Sequence, residues 1–263
     1  MMTWVYALPA WFLMPASVIV MCAFSVLALS ITRQRLTRND LITHNDVAGA
    51  ILAMLGTVLA VMMSFMVAGV WQEYDSAGQS TQTEASALAD LYHLANAMPA
   101  AQRAGIQTGI DRYISQLESD EWPLMKHGLQ SWKAFQTAYA IEDAVIGHNP
   151  AVAGTSLVQS QGLTYVATFL DARRERLYDN ASGIPGVLWS TMLAVGVITI
   201  FFSFYFKVER PIAQYIMVAT LTAVITLIYI LIAELDYPFR GDIAIGPDAF
   251  VHVYNSLHHI GFR

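Results

Sequence analysis

The sequence predicts an all-α membrane fold: four transmembrane helices, with an extramembrane four-helix bundle inserted between the second and third spans. Three observations lead there. Only 13% of the 263 residues are charged and 56% are hydrophobic, whereas an ordinary soluble domain carries roughly 25% charged residues. The apolar residues gather into four runs, Trp11 to Ile31, Val47 to Trp71, Ile184 to Phe206 and Ile212 to Leu235. Each is near or above the roughly 20 residues a helix needs to cross about 30 Å of hydrocarbon. Finally, no window sustains the period-two alternation of a strand.

The first run has no Lys or Arg before Arg33. It lacks the basic flank of a secretory signal and is expected to stay attached. Cys22, the only cysteine, lies inside it, which excludes an intramolecular disulfide and any cysteine-based metal cluster. The second run continues past Trp71 without proline through Glu84, Leu88, Leu91, Leu94 and Ala95 until Met98-Pro99. It predicts one long helix that stops before the proline.

Between residues 72 and 182 three further helices are expected. One runs from about Pro99 to Ser119 with Ile106, Ile110, Tyr113, Ile114 and Leu117 on one face. Another opens at Glu121-Trp122-Pro123 and carries Trp132, Phe135, Tyr139 and Ile146. Gly147, Asn149, Pro150 and Gly154 mark a loop. The last helix, about Ser156 to Asn180, presents Leu163, Val166, Leu170 and Leu177. The expected organisation is a transmembrane hairpin over 1–71 (spans about 11–31 and 47–71), an extramembrane domain over 72–183, a second hairpin over 184–235 and a polar tail over 236–263.

Charge sets the partners. The net charge is −6, and residues 72–182 hold 7 basic and 13 acidic side chains against 7 and 7 elsewhere. An acidic surface repels phosphate backbones, so no nucleic acid is expected. Arg33, Arg35 and Arg38 follow the first span, and Lys207 and Arg210 sit between the third and fourth. Positive-inside reasoning puts both short loops in the cytoplasm and both termini and the 72–183 domain in the periplasm of a bacterium. Arg173, Arg174 and Arg176, near the outer end of the third span, oppose that assignment.

Two groups of residues invite a functional reading. Gly49, Ala53, Gly56, Ala60 and Ser64, continued by Ala68, form one stripe of small side chains on the second span. Such a stripe serves close helix packing, or it lines a narrow axial pathway. Met54, Met62, Met63 and Met66 lie mostly off it. Glu234 and Asp236 close the fourth span, where a carboxylate must be hydrated, paired or bound to a cation; Arg240 is the local partner and ion binding the sharper alternative. His252, His258 and His259 have no completing ligand spacing, so no metal is expected. HExxH, GxSxG and phosphate-cradling glycine loops are absent, and neither catalysis nor a cofactor is expected.

Several phrases, in their order along the chain, resemble a bacterial family of unknown function labelled bestrophin-like. They are His44-Asn45-Asp46-Val47-Ala48-Gly49, Trp71, Glu84-Ala85, Glu121-Trp122-Pro123, Arg173-Arg174-Glu175-Arg176-Leu177, Leu188-Trp189 and Leu235-Asp236-Tyr237-Pro238-Phe239-Arg240-Gly241. The resemblance covers about residues 44 to 250. It implies distant kinship with bestrophins, oligomeric anion channels with four membrane helices per subunit, and a cytosolic placement of the large domain that opposes the charge-based one. No bestrophin pore residue matches, so selectivity is not carried across. Asn45 and Asp46 also suit a helix cap, and Arg173 and Arg176 suit pairing with Glu84 or Glu121.

Together these readings lead to an expected homo-oligomeric ion channel of the bacterial cytoplasmic membrane. Its partners are lipid, further copies of itself and inorganic ions, with the second span nearest the pore axis and the helical domain as vestibule. The alternative is a non-conducting membrane-anchored sensor or scaffold whose outer bundle binds a ligand or a protein.

Overall fold

A computed structural model describes residues 10–35, 45–147, 155–206, 208 and 210–258. His44, Arg38, the Asn149 to Gly154 stretch, Lys207 and His259 lie outside the described residues, as does the side chain of Asn45. The principal elements are α1 (Ala10–Arg35), α2 (Asn45–Leu94), α3 (Ala100–Gln116), a π turn (Leu117–Glu121), α4 (Trp122–Met125), α5 (Trp132–Ile146), α6 (Thr155–Ala181), α7 (Gly186–Phe202), α8 (Pro211–Leu235) and α9 (Asp248–Leu257). No β-strand occurs among the described residues. The chain divides into two compact units. Met1–Gln72 and Gly183–Asp236 make the first, and Glu73–Ser182 and Tyr237–Arg263 the second.

Four helices are long and apolar enough to cross a membrane, and between 11% and 28% of each apolar window is buried within the chain. Most of that surface needs a cover other than the protein's own core, which lipid supplies. Trp11, Phe24, Met54, Phe65, Val187 and Ile212 are all more than half exposed.

In the first unit α1 packs along α8, and the Cys22 thiol donates to the Ala219 carbonyl at 3.3 Å. Helices α7 and α8 form a hairpin. Buried Gln214 donates to the carbonyls of Phe204 and Phe206, each at 3.2 Å, satisfying acceptors that a helix end leaves open. The Tyr229 hydroxyl donates to the Met192 carbonyl at 2.5 Å and lies where a Cβ on Gly196 would be. Glycine at 196 is what lets the tyrosine reach that carbonyl.

The core of the second unit is built from Leu88 and Leu91 of α2, Ile106, Ile110 and Tyr113 of α3, Ala138 and Ile141 of α5, and Val166 and Phe169 of α6. The apolar face expected on α3 is buried in full. Three expectations are corrected here. The helix that opens at Trp122 is the short α4, and the residues from Trp132 on belong to a separate helix, because Gly128 takes a positive φ of 74° and Ser131 caps the new start by accepting from the Ala134 amide. Its aromatic residues do not enter the core. Trp132 is 67% exposed and stacks on Phe135 at 5.1 Å, while small Ala134 and Ala138 occupy the close-packed side. On α6, Leu163 is likewise exposed while Val166 and Leu170 are buried.

The expected polar tail over 236–263 is also corrected. Phe239 and Phe250 are each 1% exposed and belong to the core of the second unit. Helix α9 carries Phe250, and Phe239 precedes it. Two large aromatic rings buried together anchor this stretch, whose hydrophobic residues outnumber its charged and polar ones.

Candidate functional site

In the second unit five buried polar side chains from four separate segments meet in one cluster. Glu84 of α2 shares its inner face with Leu88 and Leu91, four and seven residues on. Tyr113 sits among the isoleucines of α3, Glu121 ends the π turn, and Arg173 and Arg176 lie three apart on the buried face of α6. All five are at most 3% exposed.

Arg173 forms a bidentate pair with Glu121, Nη1 to Oε1 at 2.6 Å and Nη2 to Oε2 at 2.7 Å. Its Nη1 also donates to the Tyr113 hydroxyl at 2.6 Å, which in turn donates to Glu84 Oε1 at 2.5 Å. Arg176 closes the ring. It donates to both Glu84 oxygens, at 2.6 and 3.1 Å, and to Glu121 Oε1 at 2.8 Å. Its remaining Nη1 meets Met125 Sδ at 2.9 Å, and its guanidinium lies 4.8 Å from the Trp122 ring, an attractive cation–π placement.

Two positive and two negative charges sum to zero, so the dry interior holds no net charge. Burial, followed by the neighbouring Glu84 carboxylate, pushes the Tyr113 hydroxyl well above its usual range. For Glu121 burial acts upward too, but hydrogen bonds and charge from Arg173 and Arg176 outweigh it and hold the carboxyl below its ordinary value. Arg176 is held charged more firmly than a free guanidinium, the attraction of Glu84 overcoming its burial. Every polar group in the ring is committed to another. The arrangement is a clamp on α2, α3, α6 and the π turn.

The C-terminal phrase completes this region. Trp122 packs edge-on against Phe239 at 6.2 Å and Phe250 at 5.6 Å, and its indole donates to the Ile245 carbonyl at 3.0 Å. Gly241 turns with φ of 82°, a conformation open to glycine at little cost. Pro238 is buried and Pro123 exposed at the start of α4. Arg240, expected beside Asp236, lies 4.2 Å over the Tyr237 ring and donates to the Asn180 carbonyl at 3.0 Å. The sequence places Tyr113 only on the apolar face of α3 and does not single out Met125 or Phe250. Tyr113 falls at a core-facing position between Ile110 and Ile114, and its one betraying signal is a hydroxyl that a buried site must satisfy.

In the first unit Asp236 is 6% exposed. Its Oδ1 accepts from the Ile184 amide at 2.7 Å and its Oδ2 from the Trp189 indole at 3.2 Å. The geometry thereby gives this carboxylate the start of α7 to hold. Glu234 is 2% exposed. On α2, Ala53, Ala60 and Ser64 are exposed, and Gly49 and Gly56 are half-buried. A Cβ at either glycine would meet nothing within 4 Å. Asp46 and Trp71 are exposed. His252 is exposed and His258 faces Asp111 at 3.0 Å. Among the described residues no group of three or more His, Cys, Asp or Glu side chains is placed to hold a metal ion.

Breaking the clamp from either side strands a buried charge. Arg176→Ala and Glu84→Ala are each expected to lower unfolding stability by roughly 3–5 kcal/mol, read by denaturant titration of the purified protein in detergent. Wild-type stability in either variant would dissolve the clamp. Asp236→Asn offers an N–H where a carboxylate oxygen now accepts one, and is expected to cost about 1–3 kcal/mol, seen as a lowered melting temperature. An unchanged melting temperature with altered ion preference would instead make Asp236 an ion ligand.

The bestrophin-like domain family matches residues 19–250. None of the curated proteins compared matches the chain. Among solved structures, a point mutant of a bacterial bestrophin homologue from Klebsiella pneumoniae superposes with a TM-score of 0.72 at 11% identity, covering 95% of this chain and 99% of that one. A structure of the homologue from the same organism gives 0.68 at 12% identity over 94% and 96%. A point mutant described only as a membrane protein gives 0.68 at 11% identity over 96% and 98%. These likenesses establish the fold, and with the four apolar helices they make the chain a multi-pass membrane protein. By the extent of the family match, this protein belongs to the bestrophin-like family.

Proposed function

We propose that the protein is a homo-oligomeric ion channel of the bacterial cytoplasmic membrane, with α2 nearest the pore axis and the second unit as its vestibule. One observation carries the reading within the family: among the described residues, much of the small-residue face of α2 is left uncovered. Ala53, Ala60 and Ser64 are exposed, and the space above Gly49 and Gly56 is open. Lipid gains little from small side chains, whereas a second backbone or a narrow water path needs them. Repeating one such contact around an axis gives a closed ring. Where side chains are this short, Ser64 and Thr57 hydroxyls, already bonded to the Ala60 and Ala53 carbonyls, keep lone pairs that can face a passing ion.

Arg33 and Arg35 end α1, and Arg210 precedes α8. Under positive-inside reasoning these short connections are cytoplasmic, and both termini and the second unit lie in the periplasm.

The purified protein is expected to have an oligomeric mass in detergent and to pass current in planar bilayers, and Gly56→Leu is expected to reduce conductance severalfold or disrupt assembly. A monomeric mass, or a normal oligomer with normal current in Gly56→Leu, would end the proposal in this form. A cysteine introduced at exposed Gln130 is expected to react with a membrane-impermeant maleimide in intact cells whose outer membrane has been permeabilised. Labelling only after lysis would reverse the orientation.

A further inference from the structure

Seven Lys and Arg side chains lie in residues 72–182. Arg173, Arg174 and Arg176 are each paired with a carboxylate, leaving Arg103, Arg112, Lys126 and Lys133. Two of those four line one groove of about 710 Å³ between α3 and α5. Arg112 comes from α3 and Lys133 from α5, and no carboxylate is among the residues lining the groove. Among the described residues neither cation has an ion-pair partner. A doubly positive concavity is the opposite of what surrounds it, since the same stretch carries 13 acidic side chains.

The groove also has fixed donors and firm walls. The Thr137 hydroxyl, on a residue 8% exposed, donates to Gln116 Oε1 at 2.7 Å, which leaves the Gln116 amide N–H free to donate. Gln136 adds a second amide on the α5 side. At Gly109 a Cβ would come within 3.0 Å of Ile141, so glycine permits the close approach that holds α3 against α5. At Gly105 a Cβ would meet nothing within 4 Å, and the floor there is open.

We propose that this groove binds a small organic phosphate monoester. Such a group carries close to two negative charges at neutral pH and several strong acceptor oxygens. A planar guanidinium fork, an ammonium and an oriented amide match that set. The volume lies within the range of pockets that hold small organic ligands, and exceeds what a bare phosphate fills. The site stands apart from the pore proposal, and its test uses no current measurement.

The test is isothermal titration of the full-length protein in phosphatidylcholine nanodiscs with phenyl phosphate as the probe. Saturable binding of one probe per chain is expected. The double variant Arg112→Gln/Lys133→Gln is expected to weaken it about tenfold or more, as loss of charge-assisted hydrogen bonds does. Gly105→Phe is expected to abolish it by filling the floor, and Lys126→Gln to leave it unchanged. Both altered cations are exposed, so circular dichroism of each variant should match wild type. A second set of discs contains phosphatidic acid. If these block the probe in wild type, the same phosphate chemistry is supported with a lipid headgroup as its source. Absence of saturable binding in phosphatidylcholine discs, or binding that survives both the double variant and Gly105→Phe, would overturn the proposal.

Discussion

Burial cuts the Arg176 guanidinium off from bulk solvent, and the second unit is arranged around meeting the demand this creates. A guanidinium at 0% exposure is tolerable only if each donor finds an acceptor and the charge finds its opposite. Glu84 and Glu121 meet the charge, Met125 takes one hydrogen of the remaining nitrogen, and the guanidinium lies over the Trp122 ring. None of these can move independently. A pair of this kind adds little stability over a well-packed apolar replacement, but it tolerates few alternative registers. Residues 84 and 176 are bonded across 92 positions of sequence, and that bond selects one packing of α2 against α6.

The first unit answers a different solvent. Its polar side chains are few and mostly bonded to a carbonyl nearby, as with Thr57 to Ala53, Ser64 to Ala60 and Thr226 to Thr222. Hydrocarbon leaves unpaired groups no partner, so hydroxyls turn back on their own helix. Polar bonds between elements are made at helix ends, as Gln214 and Asp236 illustrate, and across helix contacts by Cys22 and Tyr229. Helix α2 is one uninterrupted element of 50 residues that uses both alphabets, glycine and alanine in its first part and Glu84 with leucines in its last.

Much of this was legible in the sequence because length and periodicity are local properties. Four apolar runs, the buried face of α3 and the uninterrupted course of α2 all follow from spacing alone. The pairing of Arg173 and Arg176 with Glu84 and Glu121 could be foreseen as chemistry, since charges on a core-facing stripe require partners. Which arginine takes which glutamate depends on tertiary distances that no spacing encodes. The aromatic face of α5 misled because hydrophobicity marks a burial candidate, while alanines at 134 and 138 allow the closer helix contact. Helix α9 was hidden because it is only 10 residues long and its anchor, Phe250, packs on Trp122 more than a hundred residues earlier. Gly128 could have been recognised as a stop, but only the structure reveals that its missing side chain leaves room for the Arg240 guanidinium, 2.6 Å from where a Cβ would lie.

The five-residue wide turn at Leu117–Glu121 has a bearing on how this chain can drift over time. A π turn is an α-helix carrying one surplus residue, and such turns recur at positions where function holds them in place. Everything after it, from the Trp122 ring to Met125, is rotated by about one position relative to α3. Trimming a single amino acid from Glu118 to Asp120 would restore regular winding and swing the indole out of its aromatic nest. Length here is as constrained as identity, and a loop-like tolerance of small deletions stops at the edge of this turn.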